Sequence, residues 1–426
     1  MPPDFEPRLL ALAEVILRVG VNLQPGQRLL IGEPYELQGV ARSAGVLVEA
    51  IRTAAGEMWP GRPAPAIEVI WGDAARLREF AVKRTWHDYA MMVGTGAAQI
   101  DAYIRRGDAV LFLQSSLPGF LDDLPADRVS ELRRIGWEYF GPVSHQLVEG
   151  ATNWSVAPAP TPEWALVVND DLPAGQRLGV LWDDVFKAMR IPAPAGPGAD
   201  RPALKAIADW EAHLGALARY RDTLNLRLYS TVHYEGDGTH LTVALPEEHL
   251  WCTAQLKTKS GLAFTANLPT EEVFTVPHRD SAEGIVRAAR PVCYGSTIID
   301  GIELEFKHGR VVQARAREGE DLLKRLLETD EGARRLGEVA ILPAAQTGRA
   351  PDRMQPDVSA AAGNSLDPWQ SSGRFYYHPL LDENTGSHIA LGESYGFCLR
   401  APNPAALNRS LIHVDLSIEA KAHLGR

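Results

Sequence analysis

Ser410-Leu411-Ile412-His413-Val414-Asp415-Leu416 alternates aliphatic side chains with an imidazole and a carboxylate. A period of two is that of a β-strand, so Ile412, Val414 and Leu416 face one way and His413 and Asp415 the other. An imidazole and a carboxylate two residues apart on one strand form a ready pair of ligands for a divalent ion. Taken alone, the pattern is more often a surface pair or a hydrogen-bonded core histidine. The rest of the chain decides its meaning. Just upstream, Phe375-Tyr376-Tyr377-His378-Pro379-Leu380-Leu381-Asp382-Glu383-Asn384 runs into Thr385-Gly386-Ser387-His388-Ile389-Ala390-Leu391-Gly392. Glu383 and His388 stand there beside small residues that would let a substrate approach.

The 426-residue chain is long enough for two domains, each with its own core, and its composition is that of a globular protein. Its net charge of -11 is spread along the sequence, which argues against nucleic acid or an anionic membrane as the main partner. Cys252, Cys293 and Cys398 lie far apart without a CxxC spacing. They make neither a disulfide framework nor a zinc–thiolate site, and they suit a reducing cytoplasm. The N-terminal segment lacks the basic start and apolar run of a signal peptide, and no apolar run approaches the roughly 18 residues that span a bilayer. A cytoplasmic protein is expected.

The first half reads as α/β. Apolar spacing predicts helices over Arg8–Val21, Leu37–Ala54 and Ala74–Lys83, and buried strands over Arg28–Gly32, Ile67–Trp71, Ala109–Leu113 and Trp164–Val168. Strands alternating with helices imply a mainly parallel sheet. Neither a GxxxxGK[ST] nor a GxGxxG follows any of these strands, so this half reads as scaffold rather than a nucleotide site. Ala193-Pro194-Ala195-Gly196-Pro197-Gly198 is the strongest linker signal. It divides the chain into an N-terminal scaffold domain, 1–195, and a C-terminal metal-binding domain, 196–426. A core-facing helix over Pro202–Asn225 follows the linker.

Beyond it, short alternating runs (Leu226–Tyr229, Leu241–Ala244, Ile302–Phe306, Val311–Ala316) separated by glycine turns predict a largely antiparallel α+β domain. Within Pro269-Thr270-Glu271-Glu272-Val273 only one acid can face the interior of a strand. The competing reading is an acidic first helical turn capped by Thr270. A helix is predicted over Leu322–Arg335, then a strand opened by Glu338 among glycine and aliphatic neighbours. A carboxylate there is buried and needs a partner, either a metal ion or an arginine. Glu272, Glu338, Glu383, His388, His413 and Asp415 together form an oxygen- and nitrogen-rich set without thiols. That set suits two divalent ions, Zn, Co or Mn.

Asn267-Leu-Pro-Thr-Glu-Glu-Val-Phe-Thr275, Asp330 through Ala340, Asp382-Glu-Asn384 with His388-Ile-Ala-Leu-Gly392, and Ile412 through Leu416 resemble the aminopeptidase T / aminopeptidase S family of thermophilic metallopeptidases. The resemblance runs from about Leu9 to the C-terminus and is stronger after Leu181. It implies an α/β domain, a second domain with a dinuclear metal site, a homodimer, and peptide substrates that lose their N-terminal residue through a metal-activated water. It places the metal-binding acid of Pro-Thr-Glu-Glu on Glu272, with Glu271 as the fallback; Glu271, Glu338 and Glu383 are the candidate general bases for the hydrolysis. It places the remaining ligands on Glu338, Glu383, His388, His413 and Asp415, and an active-site tyrosine on Tyr395.

Two departures stand out. His240 in Gly238-Thr239-His240 replaces the family's usual Asp, and the segment between Ile341 and Phe375 is longer than usual. Two rival readings remain: an Fe(II) ring-cleaving dioxygenase using His388, His413 and Asp415, and a catalytically inactive member that binds peptide or metal. Trp251, Phe264 and Phe274 read as core, or else as an apolar side-chain pocket.

Overall fold

The computed structural model describes residues 4–194, 202–343 and 373–425. They form two compact units, one of Met1–Leu124, Glu131–Leu214 and Ala254–Pro269, the other of Pro125–Ser130, Gly215–Thr253 and Thr270–Arg426. Among the described residues no helix is long and apolar enough to cross a membrane. Much of the proline- and glycine-rich linker, and most of the long segment before Phe375, lie outside the described residues.

The first unit holds a four-stranded sheet. Its strands are β1 (Leu29–Gly32), β2 (Ile67–Val69), β3 (Ala109–Gln114) and β4 (Trp154–Pro158), in the order β2-β1-β3-β4. Every pairing is parallel. β1, β3 and β4 are buried along their whole length, as strands covered on both faces must be.

Several elements differ from expectation. Trp164–Val168 is not the fourth strand; it belongs to a helix, Pro162–Val168. Thr161 caps that helix by accepting from the Trp164 N–H, Pro162 stands at its first turn, and Glu163 follows. A five-residue apolar run cannot by itself separate helix from strand. The second helix starts at Gly45 rather than Leu37. The buried Glu33 carboxylate accepts the N–H groups of Tyr35, Glu36 and Leu37 and holds that stretch in a turn. Arg8–Val21 is an α-helix over Phe5–Val15 followed by a π-helical turn, Ile16–Gly20.

The second unit is built on two antiparallel sheets. One has six strands in the order Arg310–Arg315, Glu303–Lys307, Glu283–Arg287, Thr239–Ala244, Thr231–Gly236 and Ala420–Gly425. Leu226–Tyr229 is not a strand, because the Pro202–Arg227 helix runs into it and pairing begins only at Thr231. The other sheet comprises β5 (Val273–Thr275), β6 (Leu336–Ile341), β7 (His388–Gly392) and β8 (His413–Ser417), in the order β8-β7-β6-β5. The helix before β6 stops at Leu327, well short of Arg335. Asp330 accepts the Ala333 N–H and turns the chain there.

Candidate metal centre

The register of the second sheet sets the site. Glu338 and Asp415 are both cross-strand partners of Ala390, and His413 is the partner of Gly392. Directly paired residues share a face, and so do residues two apart on one strand. Glu338, His388, Ala390, His413 and Asp415 therefore line one face. Ala390 and Gly392, the small residues among them, leave the space that the longer side chains fill. Glu272 reaches the same place from the segment just before β5. Glu383 comes from the turn Glu383–Thr385 that follows the short Pro379–Asp382 helix.

The six side chains converge. His388 Nε2 lies 2.9 Å from Glu272 Oε2 and 3.4 Å from Glu338 Oε1. His413 Nε2 lies 3.5 Å from Asp415 Oδ1 and 3.9 Å from Glu338 Oε2. Two groups that could hold a metal ion emerge, Glu272–Glu338–His388 and Glu383–His388–Asp415, each with oxygen and nitrogen atoms within 4.8 Å of one another. Glu272, Glu338, Glu383 and His388 are buried, whereas His413 and Asp415 are half-buried at the rim.

The electrostatics are those of crowded like charges out of water. Burial, with repulsion from Glu272, pushes the Glu338 carboxyl up to about 7 despite its contacts with His388 and His413. Burial, then Asp415 and Glu272, push Glu383 well above the usual carboxylate range. Burial would lower His388, but Glu272 and Glu338 outweigh it and raise the imidazole well above its ordinary value. His413 is likewise raised to about 9, as Asp415 overcomes burial. Burial alone would raise Asp415; His413 holds it below its usual range.

Among the described residues the ion pairs of this cluster run to imidazoles, and no arginine or lysine pairs with Glu272, Glu338, Glu383 or Asp415. Among the described residues no arginine takes the place of a metal ion beside Glu338. His388 Nδ1 is buried without a hydrogen-bond partner among the described residues. Four carboxylates and two imidazoles crowded together in this way fit divalent cations at oxygen and nitrogen sites.

Supporting groups that sequence reading did not single out are now visible. Nδ1 of His413 lies 2.9 Å from the Glu393 carbonyl oxygen. Asp382 accepts the N–H groups of Tyr376 and His378 and pairs with Arg290 at 3.4 Å, fixing the segment that presents Glu383. Burial raises Asp382 to about 6. Tyr234 is buried and donates to the Ala340 carbonyl beneath the sheet. Asp382 carried a signal, its place beside Glu383; the Glu393 carbonyl carried none.

The two candidate catalytic groups flank the cluster. The Tyr395 ring lies 4.8 Å from that of His413, stacks on Phe397 at 5.4 Å and meets Phe274 at 6.2 Å. Glu271 is half-buried, and its N–H donates to Asn384. Thr270 caps no helix, since Val273–Thr275 is a strand. His240 is exposed on the six-stranded sheet and takes no part in the cluster. Trp251 and Phe264 are buried core residues, and the three cysteines are free.

The sequence profile of the family described as thermophilic metalloprotease (M29) matches residues 5–349 and 361–423. The chain belongs to the M29 family. It is a metal-dependent peptide hydrolase in consequence. M29 relatives include aminopeptidase T from Thermus thermophilus, 36% identical over 97% of this chain and 93% of the relative. Aminopeptidase 2 from Geobacillus stearothermophilus is 33% identical over 97% of this chain and 92% of its own length. The solved structure of wild-type AmpT from Thermus thermophilus superposes with a TM-score of 0.79 at 33% identity, covering 99% of this chain and 96% of that one. The M29 fold, with its parallel N-terminal sheet and antiparallel C-terminal sheets, is thus shared along the chain.

Proposed function

We propose that the buried cluster is the catalytic centre of this metal-dependent aminopeptidase and holds two divalent cations, Zn, Co or Mn, on Glu272, Glu338, Glu383, His388, His413 and Asp415. One observation carries this reading: four carboxylates and two imidazoles share a pocket without an arginine or lysine partner among the described residues. Four negative charges are balanced by two dications, whereas one ion leaves a net buried charge that is costly. Bound there, the cations supply Lewis acidity and make water nucleophilic near neutral pH.

The chain's own groups do the rest. Tyr395, held by His413 and Phe397, donates its phenol to the oxyanion that develops on the scissile carbonyl. Glu271, at the half-buried edge of the cluster, accepts the proton of the attacking water and passes it to the leaving amine. Glu338 and Glu383 are the alternative bases. The substrate is a peptide with a free N-terminal amine, and the curated relatives named as aminopeptidases support that choice. We further propose a cytoplasmic homodimer whose residues 196–426 act as the catalytic domain; the free cysteines support the reducing compartment.

The single-iron dioxygenase reading uses His388, His413 and Asp415 and leaves Glu272, Glu338 and Glu383 as buried acids without a task. Metal content per chain, measured beside release of p-nitroaniline from Leu-p-nitroanilide, decides. Two equivalents with release support the peptidase. One iron with oxygen uptake, or metal without any turnover, would overturn it.

A further inference from the structure

We infer that Asn384 is a positioning residue that locks the two ligand-bearing segments on either side of the metal cluster into register. The inference rests on the reading of Glu272 and Glu383 as ligands. Thr270–Glu272 belongs to no helix or strand, and it is far in sequence from the turn that carries Glu383. Asn384 bridges them. Its Oδ1 accepts the Glu271 N–H at 2.6 Å, while its Nδ2 donates to the Leu380 carbonyl at 2.7 Å and reaches Glu383 Oε1 at 3.4 Å.

These partners fix the orientation of the amide. A backbone N–H can only donate and a carbonyl can only accept, so exchanging oxygen and nitrogen would break both contacts. Asn384 is fully buried, so water cannot replace either bond. The consequence is mechanical. The Glu271 amide sets where Glu272 leaves the backbone, and the same side chain steadies the Glu383 carboxylate. Groups that orient ligands in this way commonly change metal affinity by about 10–100-fold when lost.

The test uses the full chain with Asn384→Ala and Asn384→Asp. The probe is Co(II), followed by chelator competition and by its visible absorption, beside kcat, KM and the unfolding midpoint of the chelator-stripped protein. Asn384→Ala is expected to bind Co(II) about 10–100-fold more weakly, with altered absorption bands and a lowered kcat at saturating metal. If it lowers only the unfolding midpoint and leaves affinity and spectrum as in the parent, the positioning role is overturned. Should Asn384→Ala fail to fold, Asn384→Asp carries the same test. It keeps the size and the acceptor for Glu271 but sets a carboxylate against Glu383. Glu272→Gln and Glu383→Gln separate the two readings. If these bind Co(II) like the parent, the ligand assignment itself fails. If they lose it and the Asn384 variants do not, only the present inference falls.

Discussion

Nδ1 of His413 lies 2.9 Å from the carbonyl oxygen of Glu393. A carbonyl cannot donate, so Nδ1 carries the proton and the other nitrogen, Nε2, faces Glu338 and Asp415. The backbone of Glu393 is itself held, because its carboxylate pairs with Arg409 and accepts the Ser410 N–H. The loop before β8 and the end of β7 thereby choose the tautomer that a metal ligand needs.

The same cluster makes the chelator-stripped protein pH-sensitive. Glu338 is raised from 4.5 to about 7 and His413 from 6.5 to about 9. Both bind more protons folded than unfolded between those limits, so stability falls as pH rises from about 4.5 to about 9. Cations displace those protons, and the loaded protein should lose this slope. Unfolding midpoints recorded from pH 5 to 9, with EDTA and with Co(II), check it. A flat profile in EDTA would contradict the buried charge cluster.

Glu338→Gln should act with opposite sign in the two states. At pH 8 the stripped parent keeps an ionised carboxylate where burial disfavours it. Removing that charge should stabilise the stripped protein by about 1–3 kcal/mol while weakening metal binding. Denaturant melts with and without metal give both numbers. Destabilisation in both states would instead mark Glu338 as an ordinary structural residue.

Much of this was legible in the sequence, for identifiable reasons. Alternation at His413 and Asp415 required a strand, and the strand puts both on one face. Glu338 among glycine and aliphatics implied burial, and it is buried. Of the adjacent acids one faces inward, Glu272, while Glu271 is half-buried, although both precede the strand that begins at Val273. What failed was short-range. The Thr161-Pro162-Glu163 cap outweighed the strand-like run at 164–168, and Glu33 unwound the first turns of a helix. What stayed invisible was long-range: Asn384 meets Glu271 across 113 positions, and no local pattern encodes that pairing.

Two glycines near the centre should respond in opposite ways to alanine. Gly392 has φ +104, and a Cβ there would meet the Ile412 carbonyl oxygen at 2.0 Å. Backbone of β7 or β8 would have to move, and His413 with it. Gly392→Ala should cost about 2–4 kcal/mol and most of the activity. At Gly386 the nearest atom is the Ile418 carbonyl oxygen at 3.6 Å, ordinary contact, so Gly386→Ala should stay within about 0.5 kcal/mol. Melting curves and Leu-p-nitroanilide turnover compare them. Equal tolerance at both positions would refute the close packing of β7 on β8.

Tyr395→Phe isolates the phenol from the ring. The ring contributes the stacking on Phe397 and the contact with His413, both of which phenylalanine keeps. Stability should therefore remain within about 0.5 kcal/mol of the parent, and both equivalents of metal should be retained. The hydroxyl is proposed to act on charge that develops during reaction. Its loss should lower kcat and kcat/KM together by about 10²-fold, the size seen when one oxyanion donor is removed. A raised KM with unchanged kcat would assign Tyr395 to substrate binding instead. Unchanged turnover would leave the ring as a packing element beside His413 and return the oxyanion to the cations alone.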